Sequence, residues 1–240
     1  MALPKITQPE FEITLPVIGK KVKFRPFLVN EEKVLLVGKE GSPAEQMNAM
    51  IQILKSVVLT KNFNPRDLTT VDMEYLFLHL RAKSINNIVK LRYKDTEDES
   101  IQDFELDLNE VQPNIDPDRS NTLELDGYKV ELKEPTIAIL EKVGDNLDAE
   151  TMQGDISPEQ VQGVFTLLAH CLVKVYDDKE VYDDFTIDEA IDFFKQISVT
   201  SFELIQNHFD SAPKLEHTLE YTNNKGTKRS IKLSGIQDFF

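Results

Sequence analysis

Leu123-Glu124-Leu125-Asp126-Gly127-Tyr128-Lys129-Val130-Glu131-Leu132 decides the fold class of this chain. Apolar residues stand at every second position on both sides of Asp126-Gly127, and that dipeptide accepts the positive φ angles of a two-residue turn. The stretch therefore reads as a β-hairpin. Toward the N-terminus, Val89, Leu91 and Tyr93 alternate with polar residues, Asp95 to Ser100 forms a charged turn, and Phe104, Leu106 and Leu108 resume the alternation. This is a second hairpin. An edge hairpin is expected from about Phe11 to Phe27, with Phe11, Ile13 and Leu15 before the Gly19-Lys20 turn and Val22 and Phe24 after it. At the other end, Leu215, His217, Leu219 and Tyr221 lead into Asn223-Asn224-Lys225-Gly226, and Thr227 to Leu233 pairs back as a terminal hairpin.

Helical signals fill the gaps. Asn30 is a cap candidate for a short helix through Val34, Leu35, Leu36 and Val37, broken by Gly38 and Gly41. Ser42-Pro43-Ala44-Glu45 has the form of a capping box, with Pro at the first helical position, ahead of Met47, Met50, Ile51, Leu54, Val57 and Val58. Thr69 or Thr70 opens a helix through Met73, Leu76, Phe77 and Leu80, and a short one follows Pro135. Ser157-Pro158-Glu159-Gln160, Thr186-Ile187-Asp188-Glu189 and Thr200-Ser201-Phe202-Glu203 repeat the box logic. Helical groups alternating with hairpins, without the regular crossover helices of a parallel sheet, give an α+β class. Two lobes are expected, 1–112 and 122–240, with the Pro- and charge-rich stretch 113–121 as linker.

Composition narrows the function. The 240 residues are 40% hydrophobic and 29% charged, the balance of a folded chain. Lys and Arg number 27 against 42 Asp and Glu, a net charge of −15 that repels phosphate backbones and anionic lipid surfaces. No nucleic-acid partner and no membrane insertion are expected, and residues 1–13 lack the charged start and apolar core of a signal peptide. The expected location is therefore cytoplasmic. Cys171 is the single cysteine, so no internal disulfide and no thiolate cluster can form.

Candidate chemistry is sparse. None of the nine glycines builds a phosphate cradle, and Gly38 and Gly41, flanked by Glu40 and Glu45, read as a plain loop. His79, His170, His208 and His217 lie apart, without the spacing that puts two imidazoles on one helix face. His170 and Cys171 point about 100 degrees apart on a helix, a poor nucleophile and base pair. The acidic run Asp177, Asp178, Glu180, Asp183 and Asp184 lacks the central glycine of a calcium loop and reads as a solvated loop. No catalytic residue, metal ligand or cofactor is assigned.

Two features point to protein contacts. Lys225, Lys228 and Arg229 cluster at the tip of the terminal hairpin and suit an acidic partner or another copy. Gly235-Ile236-Gln237-Asp238-Phe239-Phe240 ends on two aromatics that are costly to leave in water. The tail docks either on its own core or in a partner; in the second case Ile236, Phe239 and Phe240 are the anchors and Lys225, Lys228 and Arg229 the charged rim.

The stretch LPVIGKKVKFRPFLVNEEKVLL (15–36), the run Phe104-Glu105-Leu106-Asp107-Leu108, and LEYTNNKG (219–226) with GIQDFF (235–240) resemble the baseplate hub assembly protein family of T-even-like contractile-tailed bacteriophages. Phe24-Arg25-Pro26-Phe27 and Asp238-Phe239-Phe240 are its most specific pieces. The resemblance implies a hub component or an assembly chaperone that acts through other baseplate or hub proteins, in the host cytoplasm during assembly and in the virion baseplate. It transfers no active site. Relatives with Cys-x-x-Cys pairs at the central and terminal hairpin tips would hold zinc there; this chain has no cysteine in 94–102 or 223–230. An acidic adaptor of a cellular complex and a hydrolase stay open as other readings.

Overall fold

The computed structural model describes residues 6–39, 41–144 and 158–239. The fold is α+β, with small antiparallel sheets set among helices. In chain order its elements begin with β1 (Phe11–Thr14), β2 (Lys21–Phe24), α1 (Val29–Lys39), α2 (Pro43–Val57) and α3 (Thr70–Ser84). β3 (Ile88–Lys94), β4 (Ile101–Asp107) and β5 (Pro113–Asn114) follow. Next come β6 (Thr122–Leu125), β7 (Tyr128–Leu132), α4 (Ile137–Val143), α5 (Pro158–Cys171), β8 (Leu172–Tyr176) and β9 (Val181–Tyr182). The chain closes with α6 (Ile187–Phe194), α7 (Val199–Asp210), β10 (Lys214–Thr222), β11 (Lys228–Ser234) and a 3-10 turn, Ile236–Phe239.

All four expected hairpins are present: β1 with β2, β3 with β4, β6 with β7 and β10 with β11. Asp126 and Gly127 take φ values of 51° and 89°, as a tight hairpin turn requires. Ser42 and Glu45 form the expected capping box of α2, and Thr186 and Glu189 form that of α6. Thr69 caps α3 by accepting the Asp72 amide. The Ser157 box lies outside the described residues.

Two helix starts need correction. α7 begins at Val199 with Ser198 as its cap, accepting from the Ser201 amide, so Thr200 lies inside the helix. α1 begins at Val29 and runs through Gly38 to Lys39. Asn30 does not cap it; the Glu31 carboxylate turns back to accept from the Leu28 amide at 2.7 Å.

The chain divides into two compact units, Met1–Asn114 with Pro213–Phe240, and Ile115–Ala212. One crossing lies in the expected linker. The other returns the terminal hairpin to the unit that holds the N-terminus, which corrects its assignment to a lobe at 122–240. The reason is strand pairing: Lys214 and Leu215 of β10 pair with Asn114 and Pro113 of β5, so the chain leaves and re-enters the first unit at adjacent points.

In the first unit α3 is buried nearly all round, carrying Met73, Leu76, Leu78 and Leu80 without exposure. Val89, Leu106, Leu108, Leu215, Leu219 and Leu233 pack with Tyr75, Leu78 and Ala82 of this helix in one core. Asp72, buried at the start of α3, accepts the Val17 and Ile18 amides and pins the β1–β2 turn to that helix end. In the second unit the sheet runs β6-β7-β8-β9, and its apolar face meets α5, α6 and α7 through Val164, Leu168, Ile191, Phe194 and Ile205.

Candidate partner-binding surfaces

The terminal hairpin is held at its tip by the central one. Tyr221 donates to Asp95 Oδ2 at 2.6 Å, and Asn223 Nδ2 donates to Glu97 at 2.8 Å. The Asn224 amide donates to Asp98 at 2.7 Å. Lys225 Nζ donates to the Glu97 carbonyl at 3.0 Å, and Arg229 donates to Thr96 Oγ1 at 2.8 Å. The acidic turn Asp95 to Ser100, which reads from sequence as a charged turn, is thus the counterpart of the basic tip. Asp95 also accepts the Glu97 and Asp98 amides, and its side chain is fully enclosed. The Tyr221 hydroxyl and those amides hold its carboxyl down to about 2, with Arg229 adding to the effect.

The tail docks at home. Phe239 is 0% exposed, inside the core of the first unit. Gly235, at a φ of +72°, turns the chain back, and its amide donates to the Leu215 carbonyl. Asp238 accepts the Ser234 amide at 2.7 Å, and the Ile236 amide reaches Glu74 at 3.4 Å. Phe239 is therefore not an exposed anchor: burying an aromatic side chain on its own core outweighs leaving it in water for a partner. Lys225 and Arg229 likewise spend hydrogen bonds within the unit. Lys228 is exposed, and Phe240 lies outside the described residues. Phe24-Arg25-Pro26-Phe27 is a packed corner: Phe24 and Phe27 are buried, and Arg25 pairs with Glu31 at 2.9 Å.

Cys171, His208, His79 and Asp177 are each engaged within the fold. Cys171 is buried, and burial pushes its thiol up to about 12. His208 is buried beside Arg119, whose guanidinium lies 3.0 Å from Nε2 and also pairs with Glu134. His79 is buried against Tyr75, with ring centroids 4.4 Å apart. Asp177 accepts the Lys179 and Glu180 amides and so builds the β8–β9 turn. Among the described residues, no group of three or more His, Cys, Asp or Glu could hold a metal ion.

A surface absent from the sequence reading opens in the second unit. A cleft of about 500 Å³ runs between the sheet and α6. Leu125, Leu172, Val175, Ala190 and Phe193 line it, with Tyr128, Tyr182 and Phe185 at its sides. Tyr182 is 45% exposed and Tyr128 39%, and the Tyr128 ring meets Phe193 edge-on at 6.4 Å. Residues 115–212 hold 22 Asp and Glu and 7 Lys and Arg, whereas the rest of the chain holds 20 of each. The whole net charge of −15 therefore resides in the second unit.

Each unit thus has its own closed core, with Lys228 exposed near the terminal hairpin's tip and an aromatic cleft in the acidic unit. Among the described residues, no helix is long and apolar enough to cross a membrane. No curated protein and no solved structure matches the chain. The sequence model of the family described as T4 bacteriophage base plate protein matches residues 8–240, and it therefore covers both units and the junction of hairpin tips. The chain belongs to the T4 bacteriophage base plate protein family.

Proposed function

We propose that this protein is a component or assembly chaperone of the baseplate hub and acts by contacts with other baseplate proteins rather than by catalysis. The family match across residues 8–240 carries this reading. The division of charge supports it, because an acidic unit and a neutral one offer two unlike surfaces to different neighbours. Lys228 and the outer side of the terminal hairpin serve as a second contact surface. Phe239 contributes by holding that hairpin in place. Assembly takes place in the host cytoplasm.

The test is an amber mutation in the gene, complemented in trans, with mass spectrometry of purified particles and of assembly intermediates. Loss of infectious particles together with the protein's presence in the virion identifies a hub component. The same loss with the protein present only in intermediates identifies a chaperone. Normal particle yield without the protein overturns the proposal.

A further inference from the structure

We infer that the cleft between the second unit's sheet and α6 is a docking groove for a basic segment of another baseplate protein, one that inserts an apolar side chain between Tyr128, Tyr182 and Phe193. This rests on the function proposed above and adds the site and the chemistry of the partner. The cleft's size of about 500 Å³ suits insertion of a large side chain with its neighbours, and half-exposed aromatics are the residue types that supply anchoring contacts at protein interfaces.

The two carboxylates in the lining, Glu189 and Asp126, are already bonded within the fold. Glu189 accepts from the Thr186 amide and hydroxyl, both at 2.8 Å, and Asp126 accepts the Ser198 amide at 2.8 Å. The rest of the lining is mainly apolar and aromatic, and apolar area in an acidic field is what a basic protein segment needs. Asp183 and Asp184 lie between Tyr182 and Phe185 in sequence and are exposed, and no Lys or Arg lines the cleft. Lys195, just past α6, is paired with Asp192 at 3.3 Å.

Charge also decides against the nearer occupants. A second copy that presents its acidic unit brings 22 acidic residues against 7 basic ones to a surface of the same sign, and one that presents its first unit, with 20 of each, brings no net positive charge. Residues 145–157 hold four acidic residues and no basic one, so the same surface repels them.

The experiment titrates a fluorescein-labelled peptide, a central Leu-Phe-Leu flanked by lysines, into the full-length protein. A peptide with the same centre flanked by glutamates is the control. The lysine peptide is expected to bind and to weaken by at least about tenfold between roughly 0.05 and 0.5 M salt. Tyr128→Glu and Tyr182→Glu change exposed side chains and leave the core intact; each is expected to weaken binding by about tenfold or more. Equal binding of both peptides, no binding of the lysine peptide, or unchanged affinity in both variants overturns the inference. Dissociation of self-associated protein by Tyr182→Glu also overturns it, because the occupant is then a second copy. A Tyr128→Glu, Tyr182→Glu double variant is then used to complement the amber mutant. If it loses peptide binding yet restores normal particles, the groove inference fails while the baseplate role stands.

Discussion

The Tyr221 hydroxyl donates to the Asp95 carboxylate at 2.6 Å across 126 positions of sequence, and this bond ties the central hairpin to the terminal one. Asp95 is enclosed and charged because a hydroxyl, two backbone amides and Arg229 all face it. The folded state thus holds its carboxyl at about 2, below the ordinary 3.8. A lowered carboxylate pKa contributes stability above the unfolded value and loses it as pH falls through the folded one. The destabilisation caused by Asp95→Asn is therefore expected to be full at neutral pH and to shrink from about pH 4 down to about pH 2. Thermal melts of the wild type and variant across this range test it; a difference that does not change with pH refutes the assignment.

Phe239 anchors the tail to the first unit. Phe239→Ala is expected to cost about 3–5 kcal/mol, the usual range for emptying a buried aromatic site. Deleting 236–240 is expected to destabilise at least as much, since it also removes the bonds from the Ile236 amide to Glu74 and from the Ser234 amide to Asp238. Urea titration of the isolated protein decides this. A deletion that melts like the full chain shows that the tail is dispensable to the core.

Glu74 sits beneath the same turn with the Ile236 amide as a bonding partner. Burial pushes its carboxyl up to about 7, against the pull of that amide. A raised pKa stabilises the fold at low pH and withdraws that contribution as pH rises through the folded value. Stability is therefore lost from about pH 4.5 to above pH 7, and Glu74→Gln removes this loss while keeping an acceptor for Ile236. The variant is expected to melt higher than the wild type at pH 8 and near it at pH 4. Equal melting at both values counts against a buried, protonated Glu74.

What could be read from the sequence is what is local. Asp126-Gly127, the Ser42–Glu45 and Thr186–Glu189 boxes and the four hairpins depend on residues a few positions apart, so their chemistry is visible in a line of text. The β8–β9 pair escaped because α5 passes at Cys171–Leu172 straight into β8 with no Gly or Pro between them, so no break in the sequence marks the start of a strand. The terminal hairpin's unit, the enclosure of Asp95 and the aromatic cleft escaped for another reason. Each is made by residues far apart in sequence, as Pro113 with Leu215 or Leu125 with Phe193, and period and composition hold no record of such pairs.

Arg119 illustrates the same point in the second unit, where it reads as one charge in a polar linker. Its side chain is only 10% exposed, pairs with Glu134 and donates to both the carbonyl and Nε2 of His208. Since a guanidinium only donates, Nε2 must accept, which leaves the imidazole neutral with its proton on Nδ1. Burial first and the Arg119 charge second hold His208 down to about 4, against an ordinary 6.5. The unfolded chain therefore takes up a proton between about pH 6.5 and 4 that the folded chain refuses, and stability falls as pH drops through that window. Arg119→Met leaves the largely enclosed Glu134 carboxylate without its partner and is expected to cost about 3 kcal/mol at pH 7. Removing the positive charge also lets the His208 pKa rise, so the acid sensitivity of the variant between pH 6.5 and 4 is expected to be smaller than that of the wild type. Urea titrations at pH 7 and pH 5, with an NMR titration of His208, measure both effects. A wild-type His208 that titrates near 6.5, or an Arg119→Met protein as stable as the wild type at pH 7, removes the basis for this network.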